Sequence, residues 1–265
     1  MGGGSLADVD TEDIRFKKLR NFNALMGLFH FIQATLMLLV SNSVSINITS
    51  NFLFYDELTE TLMTKTDVVY SLPIGPSVAA FLFISAIAHW LLASPWLYPW
   101  YVRNLKNHIN YARWIEYSFS ASWMLVIIAL LVGIFDFGAL LLIFFSCMVM
   151  NLCGMLMEMR NQDREKVDWL PFYVGCIAGV IPWVVIIAYF VGAIAPYSDT
   201  IPSFVYLIIV SLFITFNIFP LNMVFQYRRK GKWADYLVGE RGYIILSLFA
   251  KSILAWQVWS GTLRG

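Results

Sequence analysis

The sequence predicts an all-α membrane protein, a bundle of seven transmembrane helices, and three observations carry that prediction. Of the 265 residues, 59% are hydrophobic and only 13% charged, whereas soluble domains average about 45–50% and about 25%. Seven stretches approach the roughly 20 apolar residues that a spanning helix needs. The Lys and Arg residues divide unevenly between the two sides of the resulting topology.

In chain order the spans run Asn21–Leu39, Pro76–Leu97, Tyr111–Ile134, Phe137–Met157, Pro171–Ile194, Ser203–Phe225 and Tyr243–Gly261. Residues 1–20 are expected to form a cytoplasmic tail, and residues 21–263 one transmembrane domain without internal repeats. The opening MGGGSLADVDTED is polar and acidic, unlike a cleavable signal peptide. Leu6 stands where a myristoylation motif requires Ser or Thr. The one long connection, residues 40–75, mixes β-branched and aromatic residues with turn formers. Ser45-Ile46-Asn47-Ile48-Thr49 and Asp67-Val68-Val69-Tyr70 are examples, so short strands are expected there. Asn47-Ile48-Thr49 is also a glycosylation sequon of low specificity.

Sidedness follows from the cations. Arg15, Lys17, Lys18 and Arg20 precede the first span, and Arg103, Lys106 and Arg113 occupy the second connection. Arg160, Arg164 and Lys166 lie in the fourth connection, and Arg228, Arg229, Lys230, Lys232 and Arg241 in the sixth. The opposite side holds Lys65 and Arg264. The amino terminus is therefore expected in the cytoplasm and the carboxyl terminus outside, in a multi-pass protein of the plasma membrane. Its surroundings are membrane lipids; a net charge of +1 gives no electrostatic reason for a nucleic-acid partner. Cys147, Cys153 and Cys176 sit in apolar stretches without metal-ligand spacing and read as buried small hydrophobes.

An ionisable side chain inside a span costs at least about 2.5–3.5 kcal/mol, so it marks function by default. Lys251 lies mid-span, about 12 Å along the axis from Tyr243 at 1.5 Å per residue. That distance is marginal for snorkelling to the interface. A desolvated lysine becomes a free amine more readily and condenses with an aldehyde, which favours a covalent cofactor over a structural Lys–Glu pair. Glu116 is the buried negative partner that a cationic imine needs, and Arg113 and Ser120 share its helical face at i−3 and i+4. Ser247 stands one turn before Lys251. Each serine either bonds near the amine or bonds back to its own helix carbonyl. His30 and His89 are either satisfied core histidines or parts of a proton relay. A bound polyene would want aromatic walls such as Tyr117, Trp183 and Phe216.

Four motifs then acquire a common meaning. They are Glu116-Tyr117-Ser118-x-Ser120, Pro171-Phe172-Tyr173-Val174-Gly175-Cys176-Ile177-Ala178-Gly179, Gly231-Lys232-Trp233, and the run from Gly239-Glu240-Arg241 through Ser247 and Lys251 to Trp256-Gln257. Together they resemble the heliorhodopsins, over nearly the whole chain, and the amino-terminus-inside topology agrees with that family. The resemblance implies a rhodopsin-like bundle with all-trans retinal on Lys251 as a protonated Schiff base and Glu116 as counterion. Ser120 and Ser247 would hydrogen-bond around it. His30 and His89, with Arg113, would belong to a polar cavity beside the counterion. Tyr117, Met150, Gly154, Pro182 and Phe216 would line the retinal pocket, and Met223 stands where a relative would carry a polar glutamine. The loop of residues 40–75 would form a small extracellular β-sheet contributing to a homodimer.

The expected function is light sensing. Light would isomerise retinal from all-trans to 13-cis, and proton exchange among Lys251, Glu116 and the His30/His89 cavity would drive a slow photocycle that signals to a cytoplasmic partner. The outer halves of the helices lack carboxylates, so sensing is expected rather than ion pumping or enzymatic catalysis. A light-gated proton channel or pump on the same scaffold is the alternative. An intramembrane zinc hydrolase is remote, because it needs about three histidines converging on one metal and His108 falls in a loop.

Overall fold

The computed structural model describes residues 6–162, 164–197 and 203–264. Apolar stretches fold as helices because a bilayer offers backbone N–H and C=O groups no partner but the chain itself. The helices are α1 (Leu6–Val40), α2 (Ile74–Ala93), α3 (Tyr98–Lys106), α4 (Tyr111–Leu131), α5 (Phe137–Arg160), α6 (Leu170–Ile194), α7 (Ser203–Tyr227) and α8 (Tyr236–Val258). A π-helical turn, Trp259–Leu263, continues α8. Among the described residues, seven helices are long and apolar enough to cross a membrane; the short α3 is the exception.

Single side chains set several helix boundaries. Asn110 Oδ1 accepts from Arg113 N at 3.0 Å, Asp136 Oδ1 from Ala139 N at 2.9 Å, and Asp235 Oδ1 from Leu237 N at 3.0 Å. Each satisfies a first-turn N–H that its helix leaves unpaired. Inside α6, Pro182 has no N–H to offer the Ala178 carbonyl one turn back. Ser146 Oγ of α5 donates to that oxygen instead, at 2.8 Å.

The hub of the bundle is α4, with 67% of its apolar window buried against 22% for α6 and for α7. Leu125, Ile127 and Ile128 of α4 share one core with Phe81 and Leu82 of α2 and Leu254 of α8. Val174, Ile177 and Ile181 of α6 are exposed, as a lipid-facing surface requires.

Three boundaries differ from the sequence expectation by four residues or more. Residues 6–20, expected as tail, extend α1, because Phe16, Leu19 and Met26 recur at helical spacing and bury with Leu92, Tyr101 and Leu105. The 35 residues of α1 measure about 52 Å at 1.5 Å each, well beyond the ~30 Å hydrocarbon core. Residues 1–5 lie outside the described residues. Helix α2 ends at Ala93 rather than Leu97, since Ser94 precedes Pro95 and is extended. The aromatic run beyond it folds as α3, which buries Tyr101 while leaving Trp96 ahead of it exposed. Helix α8 starts at Tyr236 rather than Tyr243, under the Asp235 cap. That shift brings Glu240 into the bundle.

The long connection is an antiparallel hairpin of β1 (Ser45–Asp56) and β2 (Thr61–Pro73). A bulge at Ile48/Thr49 skips Val69. Thr59 Oγ1 donates to Asp56 Oδ2 at 2.9 Å in the turn. Thr49 N donates to Phe135 O at 2.9 Å and anchors the hairpin to the α4–α5 connection. At the base of the hairpin, Asn42 N donates to Leu263 O at 3.2 Å and Asn42 Nδ2 to Thr262 O at 3.3 Å. These bonds join the exit of α1 to the end of the chain.

Candidate functional site

Helical spacing alone places Ser247 beside Lys251, one turn apart on α8. The Lys251 ammonium donates to Ser247 Oγ at 2.8 Å and lies 3.2 Å from Glu116 Oε1 on α4. Lys251 is 2% exposed. Its charge is held inside the bundle, which rules out snorkelling to the interface. The ring of Tyr117 lies 5.1 Å from the ammonium, within cation–π range.

The second hydrogen bond to the carboxylate comes from an unexpected residue. Ser85 Oγ of α2 donates to Glu116 Oε1 at 2.6 Å. Ser120, expected to hydrogen-bond around the Schiff base, is buried, and its hydroxyl has no hydrogen-bond partner among the described residues. The i+4 spacing puts Ser120 on the same stripe as Glu116, but the neighbouring helix supplies the donor at the carboxylate. A serine on another span leaves no trace in the periodicity of α4.

A cavity of about 380 Å³ opens at Lys251 and runs between α4, α5, α6, α7 and α8. Its volume lies within the ~300–1,000 Å³ of small-molecule sites. Tyr117, Met150, Gly154 and Phe216 line it as expected, and so does Met223. Pro182 does not. Trp183 takes that place, packing edge-on against Phe216 with ring centroids 5.5 Å apart. Pro182 lies buried in α6 beside it. Two glycines keep the cavity open. A Cβ on Gly154 would strike the Trp114 ring, and one on Gly179 would strike Met150 Sδ. Cys176 also lines the cavity, while Cys147 and Cys153 are buried; all three are free thiols.

The histidines lie together on the amino-terminal side of the carboxylate. His30 and His89 stack with centroids 5.6 Å apart and planes 11° from parallel. His89 Nδ1 bonds Asn23 Oδ1 at 2.8 Å, whereas neither ring nitrogen of buried His30 has a hydrogen-bond partner among the described residues. His108 is remote from both, stacked on Tyr236. Among the described residues, no three His, Cys, Asp or Glu side chains are placed to share a metal ion.

Arg113 lines a small cavity with Glu116 and His89 and also anchors a buried ion network. Its guanidinium is ion-paired to Glu158 of α5 and Glu240 of α8. The rings of Trp114 and Tyr243 stack on it at 4.7 and 4.1 Å. Glu158 also accepts from Asn110 N at 2.9 Å, Trp114 Nε1 at 2.7 Å and Tyr236 Oη at 3.1 Å. Glu240 Oε1 shares a hydrogen bond with Tyr101 Oη at 3.0 Å and accepts from Asn110 Nδ2 at 2.7 Å. In the sequence Glu158 reads as a segment end and Glu240 as part of a loop. The Asp235 cap is the one local signal for the longer α8.

The sequence profile of the heliorhodopsins matches residues 19–263. The chain belongs to the heliorhodopsin family. No curated protein matches it. As a heliorhodopsin it is a rhodopsin-type, retinal-binding membrane photoreceptor, and seven of its helices among the described residues are long and apolar enough to span a membrane. The residues present fit that chromophore. An apolar cavity of small-molecule size is lined by a buried primary amine, and two of its glycines stand where a Cβ would strike the lining residues Trp114 and Met150. The heliorhodopsin match stops at Leu263, where the π-turn ends.

Proposed function

We propose that this chain is a light sensor in which retinal is held in the all-trans form as a protonated Schiff base on Lys251, with Glu116 as counterion. One observation carries the reading: the Lys251 amine lines the large apolar cavity, 3.2 Å from a carboxylate that is itself hydrogen-bonded. When bound, retinal supplies a visible-absorbing polyene whose light-driven isomerisation, all-trans to 13-cis, starts a slow photocycle. The protein does the rest. Glu116 and Ser247 hold the proton at Nζ, Ser85 steadies the carboxylate, and Trp183 and Phe216 pack the polyene path. Protons then redistribute within the His30/His89 side of the bundle rather than crossing the membrane. The cytoplasmic distribution of cations supports an amino terminus inside the cell, with the signal read by a partner at that face. The exposed apolar side chains of the hairpin support a homodimer interface.

Purified protein is mixed with retinal and its visible spectrum recorded for wild type, Lys251→Ala and Glu116→Gln. Wild type gives a visible band, Lys251→Ala gives none, and Glu116→Gln absorbs at longer wavelength. A visible band retained by Lys251→Ala removes the covalent link. A light-driven photocurrent under voltage clamp replaces sensing with ion transport.

A further inference from the structure

Buried charge in the described half of the bundle nearest the amino terminus does not balance. Lys251 and Arg113 are the cations, and Glu116, Glu158 and Glu240 the carboxylates, with side chains all 9% exposed or less. With every group ionised, one negative charge would remain uncompensated at a depth where lone charges are strongly disfavoured. An imine cation on Lys251 leaves the count unchanged, so the imbalance does not depend on the assignment of a chromophore.

The hydrogen bonds discriminate among the three carboxylates. Glu158 receives four donors, and three of these, the Asn110 N–H, the Trp114 N–H and the Arg113 guanidinium, can only donate. Glu116 faces the Lys251 ammonium directly. Glu240 has two obligate donors, the Asn110 amide and the shared Arg113 guanidinium, and its third partner, the hydroxyl of Tyr101 at Oε1, can accept as readily as it donates. Burial, and then the neighbouring carboxylate, push the Tyr101 phenol well above its usual range, so it stays a neutral O–H. Tyr101 Oη lies 3.4 Å from Asn23 Nδ2, and Asn23 holds His89. A second connection is shorter. A cavity of about 30 Å³ is lined both by Glu116 with Ser85 and by Glu240 with Asn110 and Arg113. At ~10–15 Å³ per molecule it has room for about two waters.

We propose that Glu240 carries a proton in the resting protein, donated in a hydrogen bond to Tyr101, and that it exchanges this proton with Glu116 through the small cavity between them. The groups facing Glu240 are Tyr101 of α3, Arg113 of α4, Glu158 of α5 and Tyr243 of its own helix, with His89 of α2 across the cavity. Protonated Glu240 leaves Arg113 and Glu158 as a neutral pair and Lys251 and Glu116 as another. In the exchange the Glu240 O–H bond breaks and a Glu116 O–H bond forms, so the negative charge moves the opposite way and nothing is oxidised or reduced.

Infrared spectroscopy tests this on the full-length protein in lipid nanodiscs at neutral pH, with and without retinal. Wild type shows the C=O stretch of a protonated carboxyl group in both states. The band disappears in Glu240→Gln and persists in Glu158→Gln. In Tyr101→Phe, which keeps every carboxylate, the band moves to higher frequency because the carboxyl proton loses its acceptor. Absence of the band at neutral pH, its survival in Glu240→Gln, or an unmoved band in Tyr101→Phe would each overturn the proposal. If Glu240→Gln does not fold, the Tyr101→Phe spectrum decides alone. Because the band is present without retinal, failure of the chromophore assignment would leave this result standing.

Discussion

Tyr117 Oη donates to the backbone carbonyl of Tyr243 at 2.9 Å, bonding α4 to α8 two turns from Lys251. The same ring faces the Lys251 ammonium. One residue thus braces the two helices that hold the amine and its carboxylate, and lends the amine a π-face. Removal of the hydroxyl alone separates these roles. Tyr117→Phe keeps the ring and loses a buried hydrogen bond worth about 0.5–1.5 kcal/mol. The melting temperature should fall by about 2–5 °C, with the visible maximum nearly unmoved. A large spectral shift would mean that the hydroxyl, rather than the ring, acts on the chromophore.

Ser85 and Ser120 make opposite predictions. Ser85→Ala deprives Glu116 of its 2.6 Å donor, concentrating negative charge beside the imine, and the visible band should move to shorter wavelength. Ser120 has no hydrogen-bond partner to lose among the described residues, so Ser120→Ala should leave the band in place. Visible spectra of the two variants, side by side, check both; a shift confined to Ser120→Ala would place Ser120, rather than Ser85, beside the chromophore.

Gly154→Ala probes the cavity wall. The added methyl overlaps the Trp114 ring, and relieving such overpacking costs about 1–3 kcal/mol. Displacement of Trp114 would also narrow the space beside Tyr117, so retinal uptake should be slower or incomplete while the apoprotein still folds. Regeneration kinetics measured by the growth of the visible band give the answer.

Arg113→Ala should be the most damaging single change. It leaves Glu158, buried and bonded to three further donors, without its cation. Breaking a buried pair in this way costs about 3–5 kcal/mol, and the Trp114 and Tyr243 rings lose the guanidinium between them. The expected outcome is loss of folded protein in detergent, measured by size-exclusion chromatography. A variant that stays monodisperse with an unchanged melting temperature would show that the network contributes little.

The residues that are legible in the sequence share one property: their meaning is local. Lys251 announces itself as a cation in an apolar helix, and Ser247 follows from it at one turn's distance. The hairpin of residues 45–73 shows in β-branched and aromatic runs. What stays hidden depends on a second helix. Ser85 is an ordinary serine until α2 packs against α4 at Glu116. Glu240 reads as a loop residue because Gly239, Arg241 and Gly242 surround it, and only the Asp235 cap carries the helix past it. Gly242 allows close approach of the Asn222 side chain, a role invisible without α7 beside it. Pro182 illustrates the converse. It lies in the expected helix, but the side chain that reaches the cavity belongs to the next residue.

The two bonds from Asn42 to Leu263 and Thr262 give the bundle a mechanical property. Force applied to the carboxyl terminus is passed at once to the segment between α1 and the hairpin, before any turn of α8 is loaded. Extraction of single molecules by that end should begin with a rupture peak at the membrane face. Deletion of the Asn42 side chain should lower that first peak and leave the later ones unchanged.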